Sequence, residues 1–203
     1  MARYLPLRIT ATKRKVPYSD MHDETLIERC LTSVSVFQGR LLHVYRDEVA
    51  LADDQTSVRE YIRHNGAVCV LALTDDHRVP VVKQYRYPIA KVLLELPAGK
   101  LDGRDETQEA AARRELKEET GAIADELIYL GPMLPTPAYS DEVIHLYLAE
   151  NIRFEAATPD EGELLSCELM PFDELLEAVL AGRVADAKTQ TAVLRVYARR
   201  IRS

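Results

Sequence analysis

Glu115, Glu118 and Glu119 stand at i, i+3 and i+4 behind a glycine-rich turn. The turn is Gly99-Lys100-Leu101-Asp102-Gly103-Arg104-Asp105-Glu106, and the glutamates fall in Arg114-Glu115-Leu116-Lys117-Glu118-Glu119-Thr120-Gly121. A helix gathers the three carboxylates into one patch whose repulsion costs stability unless a cation or fixed donors sit among them. The segment therefore predicts a helix with Thr107 or Asp105 as its cap, Leu116 facing a core and Gly121 ending it.

Around that helix the patterning is mostly β. Val34–Phe37, Leu41–Val49 and Val58–Ile62 alternate as strands, and the uniformly apolar run Ala67–Leu73 reads as a central strand. Thr74-Asp75-Asp76-His77 is expected to close a hairpin into Val79–Tyr85, with Pro80 at an edge or at the start of its strand. Pro97-Ala98-Gly99 reads as a turn. Strands resume at Leu127–Leu130 and Val143–Leu148, and helices are predicted over Pro171–Leu180 and Ala187–Arg200. The expected class is mixed α+β, with helix packed on sheet.

The 203 residues fit one domain with additions: an extension at 1–24, N-terminal strands over 25–64 and a main domain over 65–203. No apolar run is long enough for a membrane helix and residues 1–8 lack a signal-peptide core, so a cytoplasmic protein without membrane contact is expected. Cys30, Cys69 and Cys167 are far apart and read as buried free thiols. A net charge of −7 gives no general attraction to nucleic acid.

The stretch from Gly99 to Gly121 resembles the Nudix box: Gly, five residues, Glu, seven residues, Arg-Glu, an aliphatic residue, any residue, Glu-Glu, any residue, Gly. Glu106 stands eight positions before Arg114 and the distal half matches, but Gly99 lies one residue too far upstream, so the turn carries an insertion. The flanks Gln84-Tyr85-Arg86-Tyr87, Glu95-Leu96-Pro97-Ala98-Gly99-Lys100 and Ser140-Asp141-Glu142 look like the ADP-ribose pyrophosphatase branch, as does Glu161-Gly162-Glu163. The resemblance covers about residues 30–200. It implies a Nudix-like α/β/α sandwich with a mixed sheet, preceded by antiparallel N-terminal strands that form a homodimer.

A diphosphate is inert because its charged oxygens repel a nucleophile, and a divalent ion that neutralises them lowers that barrier. Glu115 and Glu119 are the expected Mg²⁺ ligands, with Mn²⁺ as the alternative ion. The resemblance implies the Ala98 carbonyl and Glu163 as further ligands, and Glu161 as general base. Glu118 shares the helical face and is assigned to a second ion or to water. Arg114 is expected to hold Glu118 from i−4. The resemblance also places Arg59 and Arg86 on the substrate, with Glu142 supporting substrate or metal. Tyr85, Tyr87 and Tyr139 are candidate pocket aromatics. His43, His64 and His145 have no metal-ligand spacing.

The activity so implied is hydrolysis of ADP-ribose to AMP and ribose 5-phosphate. The alternatives are a Nudix hydrolase of another nucleoside diphosphate sugar or a dinucleotide, and a non-catalytic nucleotide-binding module. A cap or nucleoside-triphosphate pyrophosphatase is disfavoured by the acidic charge and by the flanks.

Overall fold

The computed structural model describes residues 23–103, 105–158 and 164–202. In chain order its elements are β1 (Arg29–Gln38), β2 (His43–Ala50), β3 (Thr56–Arg63), β4 (Ala67–Ala72), β5 (Arg78–Arg86), β6 (Lys91–Glu95), β7 (Ala98–Lys100), α1 (Gln108–Thr120), β8 (Ala122–Met133), β9 (Ile144–Phe154), β10 (Leu165–Pro171), α2 (Phe172–Leu180) and α3 (Ala187–Arg200). The described parts of Met1–Ser33 and Asp47–Arg59 form one compact unit, and those of Val34–Arg46 and Glu60–Ser203 a second. The strands make three sheets, ordered β1-β2-β3, β10-β5-β6 and β7-β4-β9-β8.

Every residue of β4 is buried, as an apolar run flanked on both sides requires. It pairs antiparallel with β7 and parallel with β9, which makes the four-stranded sheet mixed. Its side chains alternate between two cores. Val68, Val70 and Ala72 pack with Ala111, Ala112 and Leu116 of α1. Cys69 and Leu71 pack with Leu96, Val79 and Val81, with Phe172 and Leu175 of α2, and with Val193 and Val196 of α3. Helix α1 thus covers one face and α2 with α3 the other. Full burial of Leu116 contributes roughly 2–3 kcal/mol.

Because β4 already has partners on both edges, β5 cannot join it, and the expected hairpin is not formed. Thr74-Asp75-Asp76-His77 does turn, with the Thr74 N–H donating to the Arg78 carbonyl at 3.0 Å, but β5 passes into the other sheet. Pro80 is the third residue of β5 and pairs with Leu169 of β10. Strand β6 begins its pairing only at Val82, so Pro80's missing N–H breaks no ladder there. The expected turn at Pro97-Ala98-Gly99 is instead the start of β7, where Ala98 and Gly99 pair with Cys69 and Val68.

Of the three cysteines only Cys69 is buried, and burial pushes its thiol well above the usual range. Cys30 and Cys167 are exposed, because they lie on β1 and β10, strands with uncovered positions. Among the described residues no helix is long and apolar enough to cross a membrane.

Candidate active site

Helix α1 starts where the sequence predicts: the Thr107 hydroxyl oxygen accepts the Ala110 N–H at 3.2 Å. It ends on Gly121 at φ 72°, whose N–H donates to the Lys117 carbonyl at 2.8 Å. Glu115 and Glu119, one turn apart, are both buried, while Glu118 is half-buried. Pairing tells the helix's cations apart. Arg113 donates to Glu109 and to the Ala124 carbonyl, and Lys117 pairs with Glu155, so neither neutralises the glutamate cluster. Arg114 does: its Nη1 donates to Glu115 at 2.7 Å and to Glu118 at 3.1 Å.

The same guanidinium holds Glu106, with Nε and Nη2 donating to its two oxygens at 2.9 and 3.1 Å. Glu106 also accepts the Asp102 N–H at 2.7 Å. The inserted turn residue thus leaves Glu106 on Arg114, and the extra length is taken up before it. Arg114 holds the Glu106 carboxyl below the usual glutamate range, and its own proton is held more firmly in return, Glu106 being the largest cause.

Against this helix lies the backbone of β7. The Ala98 N–H donates to Glu119 at 3.0 Å. Gly99 faces the Glu115 carboxylate, and a Cβ built there would stand 1.9 Å from Oε1. The glycine is therefore required by close approach of backbone to carboxylate. Among the described residues no three His, Cys, Asp or Glu side chains form a ready metal cage. The donors nevertheless fit a hard divalent ion in kind: two carboxylates one helical turn apart, with the Ala98–Gly99 backbone against both. Glu161 and Glu163 lie outside the described residues.

Ala98, Gly99, Arg114 and Glu115 line a cleft of about 560 Å³, which Arg86, Glu142, His64 and Lys188 also line. Arg86 extends from the end of β5, where its Nε and Nη2 donate to the two oxygens of Glu95 at 2.8 and 2.7 Å. Lys188 of α3 donates to Glu95 as well, and to Asp186 at 2.9 Å. Burial raises the Glu95 carboxyl, but Arg86 and Lys188 outweigh it and the net displacement is downward. Burial lowers Lys188, but Asp186 and Glu95 leave it above its ordinary value.

Glu142 sits on a segment fixed to the end of β3. The Ile62 N–H donates to the Tyr139 carbonyl at 2.9 Å, and the His64 N–H to the Asp141 carboxylate at 2.7 Å. The His64 Nδ1 accepts the Gly66 N–H at 3.0 Å, which assigns its proton to Nε2, and Glu142 stands 3.9 Å from that Nδ1. Arg59 belongs to the other compact unit, where its Nε donates to Glu28 at 2.9 Å and its Nη1 to Ser57 at 2.9 Å. Tyr85, Tyr87 and Tyr139 are all exposed, and none is among the described residues lining the cleft.

The fold therefore brings Ala98, Glu115, Arg86 and Glu142 to one cleft, with Glu119 bonded to Ala98 at its wall. Lys188 and Glu95 were not singled out by sequence reasoning as site residues. Their pairing spans 93 positions, and the only local sign was a charged residue opening the Glu95-Leu96-Pro97-Ala98-Gly99 flank.

Comparison with known proteins gives the family. A model of the NUDIX domain matches residues 63–191. The chain is 38% identical over 168 residues to a methanol dehydrogenase activator of Bacillus methanolicus, covering 82% of this chain and 90% of that one. It is 36% identical over 172 residues to an ADP-ribose pyrophosphatase of Bacillus subtilis (strain 168), covering 84% and 92%. It is 32% identical over 161 residues to a GDP-mannose pyrophosphatase of Yersinia enterocolitica, covering 73% and 83%. A crystal structure of an ADP compounds hydrolase superposes with a TM-score of 0.76 at 24% identity, over 86% of this chain and 95% of that chain, which shows the shared fold. On the matching family model and these relatives, the chain belongs to the Nudix hydrolase family.

Proposed function

We propose that this protein hydrolyses the diphosphate linkage of ADP-ribose to AMP and ribose 5-phosphate in a Mg²⁺-dependent reaction. The observation that carries the reading is the cleft itself, which sets the Glu115 carboxylate and the Ala98–Gly99 backbone on the same cavity as the Arg86 guanidinium. An anionic diphosphate needs both: oxygen ligands for a hard cation and a fork of N–H donors for its own oxygens. The similarity to ADP-ribose pyrophosphatase supports the substrate.

Glu115, Glu119, the Ala98 carbonyl and Glu163 are assigned to hold the cation. The cation supplies charge neutralisation at the diphosphate oxygens and acidifies water. The protein's own part is positional. Arg114 keeps Glu115 and Glu118 from moving apart, and Glu118 orients water. Arg86 binds a phosphate or ribose-phosphate oxygen, with Arg59 in the same role, and Glu142 bears on the ribose or the cation. Water forms a new P–O bond, the bridging P–O bond breaks, and the proton of the water passes to Glu161.

The similarity to a GDP-mannose pyrophosphatase favours, as a second reading, another nucleoside diphosphate sugar. Comparing kcat/KM for ADP-ribose, GDP-mannose, other nucleoside diphosphate sugars, NADH and nucleoside triphosphates, with and without Mg²⁺, separates the two. A clear preference for ADP-ribose supports the first, a preference for another sugar keeps the chemistry and replaces the substrate, and no turnover by folded protein moves the reading to a nucleotide-binding module.

The proposal includes residues 65–203 as the hydrolase domain and a homodimer through residues 25–64. What supports the dimer is β1, exposed at all ten positions and carrying Val34, Val36 and Phe37. Light scattering on the purified chain tests it: a mass of twice 22.9 kDa is expected, and a monomer would remove this part.

A further inference from the structure

Glu95 is 1% exposed, and a carboxylate is kept in such a place only where cations and donors surround it. Its two cations both line the cleft but differ in exposure. Arg86 has 41% of its side chain exposed, whereas Lys188 is 11% exposed and rooted in the first turn of α3. Between them Glu95 accepts the Nε and Nη2 edge of the Arg86 guanidinium on one side, leaving the Nη1 edge for a ligand, and the Lys188 ammonium on the other.

Lys188 is itself fixed. It donates to Asp186 at 2.9 Å, and Asp186 caps α3 by accepting the Thr189 N–H at 2.9 Å and the Thr189 hydroxyl at 2.6 Å. The Thr189 hydroxyl oxygen in turn accepts the Leu96 N–H at 2.9 Å, next in sequence to Glu95. The start of α3 and the end of β6 are therefore locked twice, by backbone and by side chain. Two cations meet two carboxylates, so the set is neutral as a whole. Loss of Lys188 would leave Glu95 to draw on the Arg86 charge alone.

We infer that Glu95 and Lys188 are positioning residues for substrate binding. Glu95 aims the Arg86 guanidinium into the cleft, and Lys188 balances Glu95 so that Arg86 keeps its charge for an anionic oxygen of a nucleoside diphosphate. Helix α3 is then part of the substrate site through its cap, not only part of the core. This rests on the reading that Arg86 binds substrate.

The test is a double-mutant cycle of Arg86→Ala and Lys188→Met, read as the Kd for ADP-ribose by calorimetry in EDTA, which needs no turnover. KM and kcat with Mg²⁺ are measured alongside. Lys188→Met is expected to raise Kd and KM about tenfold, the worth of one charged hydrogen bond, with kcat little changed. Lys188→Arg should recover most of that loss. In the Arg86→Ala background Lys188→Met should add nothing. Should Lys188→Met not fold, Lys188→Gln, which keeps a donor for Glu95, takes its place in the cycle.

If Arg86→Ala weakens binding but Lys188→Met does not, or the two add independently, the positioning role is overturned and the reading of Arg86 stands. If Arg86→Ala leaves Kd unchanged, the reading of Arg86 as a substrate residue fails and the positioning role falls with it; if the wild type neither binds ADP-ribose in EDTA nor hydrolyses it with Mg²⁺, the functional reading itself fails.

Discussion

Gly99 and the Glu115 carboxylate are so close that a Cβ at position 99 would lie 1.9 Å from Oε1 and 2.1 Å from the carboxyl carbon. The glycine of the turn and the first glutamate of the helix therefore share one volume. What would move on substitution is the far end of a flexible side chain, so the consequence falls on function more than on folding.

Gly99→Ala is accordingly expected to lower kcat/KM by about a hundredfold, the scale of an ångström-sized displacement at a reacting centre. The melting temperature should fall by only a few degrees. Kinetics and thermal unfolding of the same preparation check it. An alanine variant with unaltered kinetics would show that the Glu115 position is not critical.

Gly121 differs because its neighbour is backbone. A Cβ there would stand 2.2 Å from the Glu155 carbonyl oxygen, and φ of 72° is strained for any side chain. Gly121→Ala should cost about 2 kcal/mol or more in stability, measured by urea unfolding. The soluble folded fraction should retain the wild-type Mg²⁺ dependence.

Much of this site was legible because it is local. The spacing of Glu115, Glu118 and Glu119, the cap at Thr107 and the stop at Gly121 all lie within one short segment, so helical periodicity alone brings them together. The β4 run declared its burial in the same way. Sheet membership was not legible: nothing near Thr74-Asp75-Asp76-His77 says that β9 already occupies the edge a hairpin would need. Strand β7, three residues with a glycine at its centre, has too little β propensity to stand out. The Glu95 and Lys188 pair depends on α3 arriving beside β6, which no window of sequence records.

The Arg114 grip on Glu106 sets an acid limit. Because the folded pKa of Glu106 lies below the ordinary 4.5, the unfolded chain binds the extra proton between the two values, and stability rises with pH there. The contribution of the pair is complete above 4.5 and is lost as pH falls through the folded value. Urea midpoints of the wild type should decline below that pH, and Glu106→Gln should be less stable at neutral pH with a shallower acid decline. An identical decline in both would remove Glu106 from the account.

The most direct test of the central claim is the initial rate of ADP-ribose hydrolysis as Mg²⁺ is varied, for the wild type, Glu115→Gln and Glu119→Gln. The expected result is no hydrolysis in chelator. Each variant should lose at least about a hundredfold in rate and need more Mg²⁺ for half-saturation, since even groups that only orient metal ligands cost 10- to 100-fold. Hydrolysis that persists in chelator, or variants that keep the wild-type rate at the wild-type Mg²⁺ concentration, would contradict it.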